Sequence, residues 1–294
     1  MQGQASSVNR WIWIAVAVLV IFIIVSRMWT SDQTGEGLSL GPKVGIVYLE
    51  GPIFDSRAVI EDLEEMAERS DVKAIVLRVN SPGGGVAPSQ EIYEKVKRLN
   101  QTIPIVTSVG SMAASGGYYS ALGSTTIVAN PGSITGSIGV IMDYPVATDL
   151  LNKIGLKFET VKSGELKDSG SPSRAVTDSD RRYFQSVVQD MHEQFMEAVA
   201  LSRNLDLATV AELADGRVFT GRQSLVLGLI DSIGTFDDAV AIAAELGDIS
   251  GKPKLIKPKK DKPQFLEWLF EEARTEIGSL LKVEPAYRWQ WREL

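Results

Sequence analysis

Between Val44 and Ala129, short β-branched runs alternate with helical patterns, and this alternation constrains the fold more than any other feature. Val44–Leu49, Ala74–Val79, Ile105–Val109 and Thr126–Ala129 read as strands. Continuous apolar runs bounded by turn residues suit a sheet covered on both faces. Ser56–Arg69 places Val59, Ile60, Leu63, Met66 and Ala67 at helical spacing, with acids on the other face. Ser89–Leu99 reads as a second helix, and a small-residue helix starts near Ala114. A long helix over about Asp178–Leu201 carries Phe184, Val187, Met191, Phe195 and Val199 as its expected buried stripe. Strands alternating with helices predict an α/β fold, a largely parallel sheet layered by helices.

Composition narrows the chemistry. The 294 residues fit one large α/β domain with appendages, or two small ones. A formal net charge of −7 argues against a nucleic-acid partner. With no Cys, disulfides, thiolate metal sites and a cysteine nucleophile are excluded. The single His192 excludes multi-His metal sites and reads as a surface or half-buried residue beside the stripe of the long helix. No cofactor and no metal are expected. Chemistry is left to Ser, Lys, Asp, Glu, Arg or backbone groups.

The two ends of the chain are different in character. Trp11–Val25 is unbroken apolar sequence that continues to Trp29, and nineteen helical residues reach about 28 Å, close to a bilayer core. Trp11, Trp13 and Trp29 suit the two interfacial belts, and Arg27 can snorkel outward. The flank SRMWTSDQ lacks a small-residue cleavage site, so an uncleaved single-pass anchor in contact with lipid is expected rather than a signal peptide. Charge leaves its orientation a tie. The expected organisation is residues 1–10 on one side of the membrane, an anchor over 11–29, a polar tether over 30–42 and a folded α/β domain over 43–250. A Lys/Pro-rich linker over 251–263 precedes an amphipathic segment over 264–294, FLEWLFEEARTEIGSLLKV within it. That segment reads as a helix packed on protein, or alternatively as an interfacial membrane helix.

Two loops can hold chemistry. Asn80–Gly85 (NSPGGG) follows a strand, and its three glycines let bare N–H groups approach a ligand. It lacks the spacing of a phosphate loop, and a plain tight turn is the simpler reading. Gly110–Tyr119 (GSMAASGGYY) also follows a strand and puts Ser115 at a helix start, where N–H groups stabilise an oxyanion. A capping serine would look the same. With His192 poorly placed, a serine nucleophile would need a lysine base. Free lysine is almost wholly protonated at pH 7, and desolvation worth about three pH units would change that. Lys167, in KSGELKDSGSPSR (Lys162–Arg174), is available for this, although pattern alone makes the segment a solvent loop.

The motifs VNSPGGG (Val79–Gly85), GSMAASGGYY, TGSIGV (Thr135–Val140), KSGELKDSGSPSR and DGRVFTGRQSLVLGLID (Asp215–Asp231) together resemble the SppA family of membrane-anchored signal peptide peptidases, Ser–Lys proteases of the S49 type. The resemblance covers about Val44–Glu245 and implies a ClpP/crotonase-like spiral of ββα units. It implies that Ser115 is the nucleophile, Lys167 the general base and Ser137 the residue that orients the lysine. The backbone N–H groups of Gly116 and Gly84 would form the oxyanion hole. It further implies degradation of remnant signal peptides, and a homo-oligomer whose serine and lysine come from adjacent subunits. The catalytic domain would lie on the extracytoplasmic side of a bacterial cytoplasmic membrane. A membrane protease acting on intact proteins such as a stomatin-like partner, a crotonase-like acyl-thioester enzyme and a non-catalytic scaffold are the alternatives.

Overall fold

The structure, a computed structural model, describes residues 41–259. The expected anchor at Trp11–Trp29, most of the tether and the segment over 264–294 lie outside the described residues. Among the described residues no helix is long and apolar enough to cross a membrane.

The chain starts with three strand–helix units: β1 (Lys43–Glu50), α1 (Arg57–Glu68), β2 (Val72–Ser81), α2 (Val86–Leu99), β3 (Ile105–Ala114) and α3 (Gly116–Ala121). β1, β2 and β3 pair in parallel, which the intervening helices require. Side chains alternate across the sheet. Val47, Leu49, Ile75, Leu77 and Val79 meet Leu63 and Met66 of α1 and Ile92 and Val96 of α2 on one face. Val44, Ile46, Ala74, Val76 and Val106 face the other way. Burial on both faces is why these strands read as unbroken apolar runs.

β3 runs five residues beyond the expected Val109, and this extension organises the site. Its first half pairs with β4 (Thr126–Ala129) and its second half with β5 (Ile134–Gly136), both in parallel. The sequence reads as a glycine/serine-rich stretch where β5 forms, and its three residues are too few to show a period. After β5 come a short helix α4 (Thr148–Lys153), a single 3₁₀ turn (Glu165–Asp168) and the long helix α5 (Asp178–Arg203). α6 (Leu207–Leu213) and β6 (Val218–Thr220) follow, with β6 antiparallel to β5. α7 (Gly221–Val226), β7 (Ser232–Ile233) and α8 (Phe236–Leu246) close the unit. α8 lays Ala239, Val240, Ala243 and Ala244 on the second face of the sheet. A largely parallel, helix-covered α/β sheet is therefore what forms.

Two expectations need correction. The apolar stripe of α5 is buried only at its C-terminal end, at Phe195 and Val199; Phe184, Val187 and Met191 are half-buried. The Lys/Pro stretch is not all linker, since β8 (Lys254–Ile256) pairs in parallel with β1. Leu255 and Ile256 interrupt the lysines there, and an edge position tolerates the prolines on either side. The folded unit thus reaches at least Ile256 rather than ending at 250.

Candidate active site

Ser115 terminates β3 and starts α3 with φ 51° and ψ −121°, a conformation that non-glycine residues rarely adopt. Its N–H donates to the Gly136 carbonyl at 2.8 Å, which fixes the turn to the end of β5. The small residues around it are sterically required. A Cβ on Gly116 would stand 2.2 Å from Ser89 Oγ, and one on Gly117 2.8 Å from the Ser81 carbonyl. α3 has only six residues, so its dipole is a smaller contribution than a full helix start supplies.

The glycine loop lies directly against this turn. Gly83, at φ +97°, could carry no side chain: a Cβ would meet Gly116 N at 2.6 Å and Ser115 Cβ at 2.9 Å. Ser81 ties the loop down, donating through Oγ to the Gly51 carbonyl and accepting the Gly83 N–H. Ile53 forms a parallel bridge with Gly84, donating to the Gly83 carbonyl and accepting from Gly85 N–H. Alternation along an extended chain then turns the Gly84 N–H away from Ile53, toward α3. The position of a Cβ on Gly116 lies 3.2 Å from Gly84 N. Among the described residues neither the Gly84 nor the Gly116 N–H has an acceptor. Two free amide donors thus converge beside Ser115, itself held in a strained turn, which is the arrangement that stabilises an oxyanion during acyl transfer.

Ser137 joins the same cluster by register. Ala114 pairs with Gly136, so Ser115 and Ser137 stand one step further along adjacent parallel strands. Ser137 also has positive φ, 53°, and donates its N–H to the Arg217 carbonyl at 2.9 Å. Lys167 is placed elsewhere. It sits exposed on the 3₁₀ turn, which packs against α5, and among the described residues no hydrogen bond joins it to Ser115 or Ser137. The structure brings together Ser115, Gly84, Gly116 and Ser137 within one chain, and among the described residues Lys167 makes no hydrogen bond to that cluster. His192 lies on α5 with its Nε2 buried and unpartnered.

Sequence reasoning missed what holds the lysine turn. Asp168 accepts from Arg174 and from Lys162, and these cations hold its carboxyl down at about 2, Arg174 contributing first. Arg174 also forks onto Asp180 at 2.5 and 2.8 Å. Asp180 caps α5 through Thr177 and accepts from Ser169 Oγ, and it lies well below the ordinary carboxylate range. The signal was present, because Thr177 followed three residues later by Asp180 is a capping pattern. A carboxylate whose folded value lies below its unfolded one adds stability above about pH 4 and loses it as pH falls through 2. Between pH 5 and 2 the melting temperature of the wild type should therefore fall more steeply than that of Asp168→Asn. Parallel curves would remove Asp168 from the clamp.

Comparison with known proteins turns this geometry into a family. The model for "Peptidase family S49" matches residues 97–250, more than half of the chain, and reaches from the end of α2 through α8. The chain belongs to peptidase family S49. The Clp protease model matches residues 41–134, in keeping with the Clp protease-like α/β architecture of β1 through β5. A putative protease of Synechocystis sp. is 44% identical over 70% of this chain and 75% of its own length. A putative protease of Methanocaldococcus jannaschii is 32% identical over 90% and 89%, respectively. A putative signal peptide peptidase of Enterococcus faecium is 40% identical over 64% of this chain and 55% of its own length. As an S49 member the chain is a serine peptidase.

Proposed function

We propose that this S49 peptidase is a membrane-anchored endopeptidase with a Ser115–Lys167 dyad that degrades remnant signal peptides after secretion. The strained Ser115 beside the two free N–H groups carries the reading. A neutral Lys167 amine accepts the Ser115 Oγ proton as Oγ attacks the scissile carbonyl. Negative charge on that oxygen is taken up by the Gly84 and Gly116 N–H groups, each such donor being worth about 10²–10³ in rate. The lysine ammonium then protonates the leaving amine, and water releases the acyl group by the same steps in reverse order. Ser137 orients the amine.

The exposure of Lys167, with no hydrogen bond to Ser115 or Ser137 among the described residues, supports a site completed by a neighbouring copy of the chain. So do the exposed apolar side chains of the segment before it, Ile141, Val146, Leu150, Ile154, Phe158 and Val161. Phe54, exposed next to the Ile53–Gly84 bridge, suits an apolar peptide, and one relative's name speaks of signal peptides. An anchor at Trp11–Trp29 would keep the site on the outer face of a bacterial cytoplasmic membrane, near such substrates. Labelling of the full-length protein with a serine-reactive phosphonate should modify Ser115 and abolish peptidase activity in proportion. Stoichiometric inactivation with the label on another residue would refute the assignment.

A further inference from the structure

The Arg174 clamp touches the turn that carries Lys167, and its geometry bears on the base. The 3₁₀ turn holds three charged residues, Glu165, Lys167 and Asp168. Asp168 Oδ1 accepts from Lys162 at 2.7 Å and from Arg174 at 3.0 Å, while Oδ2 lies 2.9 Å from Arg174 Nε as an ion pair without a hydrogen bond. Lys162 additionally donates to the Glu165 backbone carbonyl. Across the clamp, Asp180 is 2% exposed and Asp168 13% exposed, so Arg174 links two well-covered carboxylates through one planar fork. The helix packed against the turn, α5, also carries Asp178, Arg181 and Arg182 in its first two turns. Among the described residues the side chain of Lys167 is outside this network, and Glu165 enters it only through its backbone carbonyl.

We propose, on the reading that Lys167 is the general base, that Arg174 is a positioning residue for it. By bridging Asp168 to Asp180, Arg174 fixes the turn to the start of α5. By pairing with Asp168 it also engages the carboxylate one residue along, onto which the flexible four-carbon stem of Lys167 could fold back. A free carboxylate one residue along would favour the ammonium form, and an ammonium cannot accept the serine proton. Lys162 stays on Asp168 Oδ1 when Arg174 is removed, so Oδ2 is the oxygen left to compete for Lys167, and the tie to Asp180 is lost.

The test is the pH–rate profile of the full-length enzyme on a small apolar peptide. Arg174→Gln should move the rising limb toward alkaline pH by about one unit, which lowers kcat near neutral pH about tenfold with KM little changed. Adding Asp168→Asn to that variant should return the limb to its original position, since the competing carboxylate is gone. A merely structural role for Arg174 would lower activity at every pH and would not be rescued by a second loss of charge. A limb that stays in place in folded Arg174→Gln, or a shift that Asp168→Asn leaves unchanged, overturns the proposal. If Arg174→Gln does not fold, Arg174→Lys keeps the charge but not the fork and should move the limb in the same direction by less; an unmoved limb there overturns it equally. Lys167→Met separates the two ideas: full activity in that variant refutes the dyad, whereas an inactive Lys167→Met with an unmoved Arg174 limb refutes the clamp alone.

Discussion

Ser115→Ala is expected to lower peptide hydrolysis by at least about 10³-fold while leaving the fold intact, and Lys167→Ala should be as damaging. Residues of a nucleophile–base pair act as a unit, so losing either costs nearly what losing both does. The residual rate comes from substrate binding and the amide donors, which neither change touches. Folding should survive because the Ser115 side chain contributes no hydrogen bond among the described residues, and its backbone N–H keeps the Gly136 carbonyl. Alanine meets the same strain at φ 51° as serine does, so no backbone penalty is added. His192→Ala is the matched control. Its Nε2 has no partner, and it lies on α5 rather than at the end of β3, so most activity should remain. A His192→Ala variant as inactive as Ser115→Ala would end the Ser–Lys assignment. Thermal melting of all three variants separates catalytic loss from unfolding.

What the sequence made legible follows from how far each signal extends along the chain. Strands β1 and β2 are covered on both faces, and their apolar runs announced them. The end of β3 was hidden because Gly110–Ala114 are small residues that suit a turn, a helix start or a strand equally. The glycine loop was readable as a place where backbone comes close, but the reason lies in Ile53, thirty-one residues away, whose bridge to Gly84 no local pattern encodes. Positive φ at Ser115 and Ser137 was likewise invisible, since serine carries no sign of strain. The half-exposed stripe of α5 shows the converse limit. Periodicity identified its apolar face, yet among the described residues nothing covers Phe184, Val187 and Met191 fully. The lysine turn failed for a third reason: Lys167 is one cation among many, and its distinguishing contacts belong to Asp168, Arg174 and Asp180.

Mixing the two inactive variants Ser115→Ala and Lys167→Ala in one assembly is expected to restore activity. In each chain Ser115 lies at the end of β3 beside Gly84, Gly116 and Ser137, and Lys167 lies exposed on the turn against α5. If the lysine of one copy serves the serine of the next, a neighbouring pair of unlike variants regenerates one site with both residues intact. A lone chain leaves Lys167 exposed to water, with no hydrogen bond to Ser115 or Ser137 among the described residues. Assembly would dehydrate the amine and bring it to the serine in one event, with the exposed apolar residues between Ile141 and Val161 covered at the same time. Proteolysis is then confined to the closed oligomer, which protects folded neighbours from an open serine site. Co-expression with two different affinity tags, followed by sequential purification, yields the mixed species for assay. Activity near a quarter to a half of wild type per chain is the result that random mixing around a ring allows, up to strict alternation. Mixed oligomers that form and remain inactive would place the dyad within one chain.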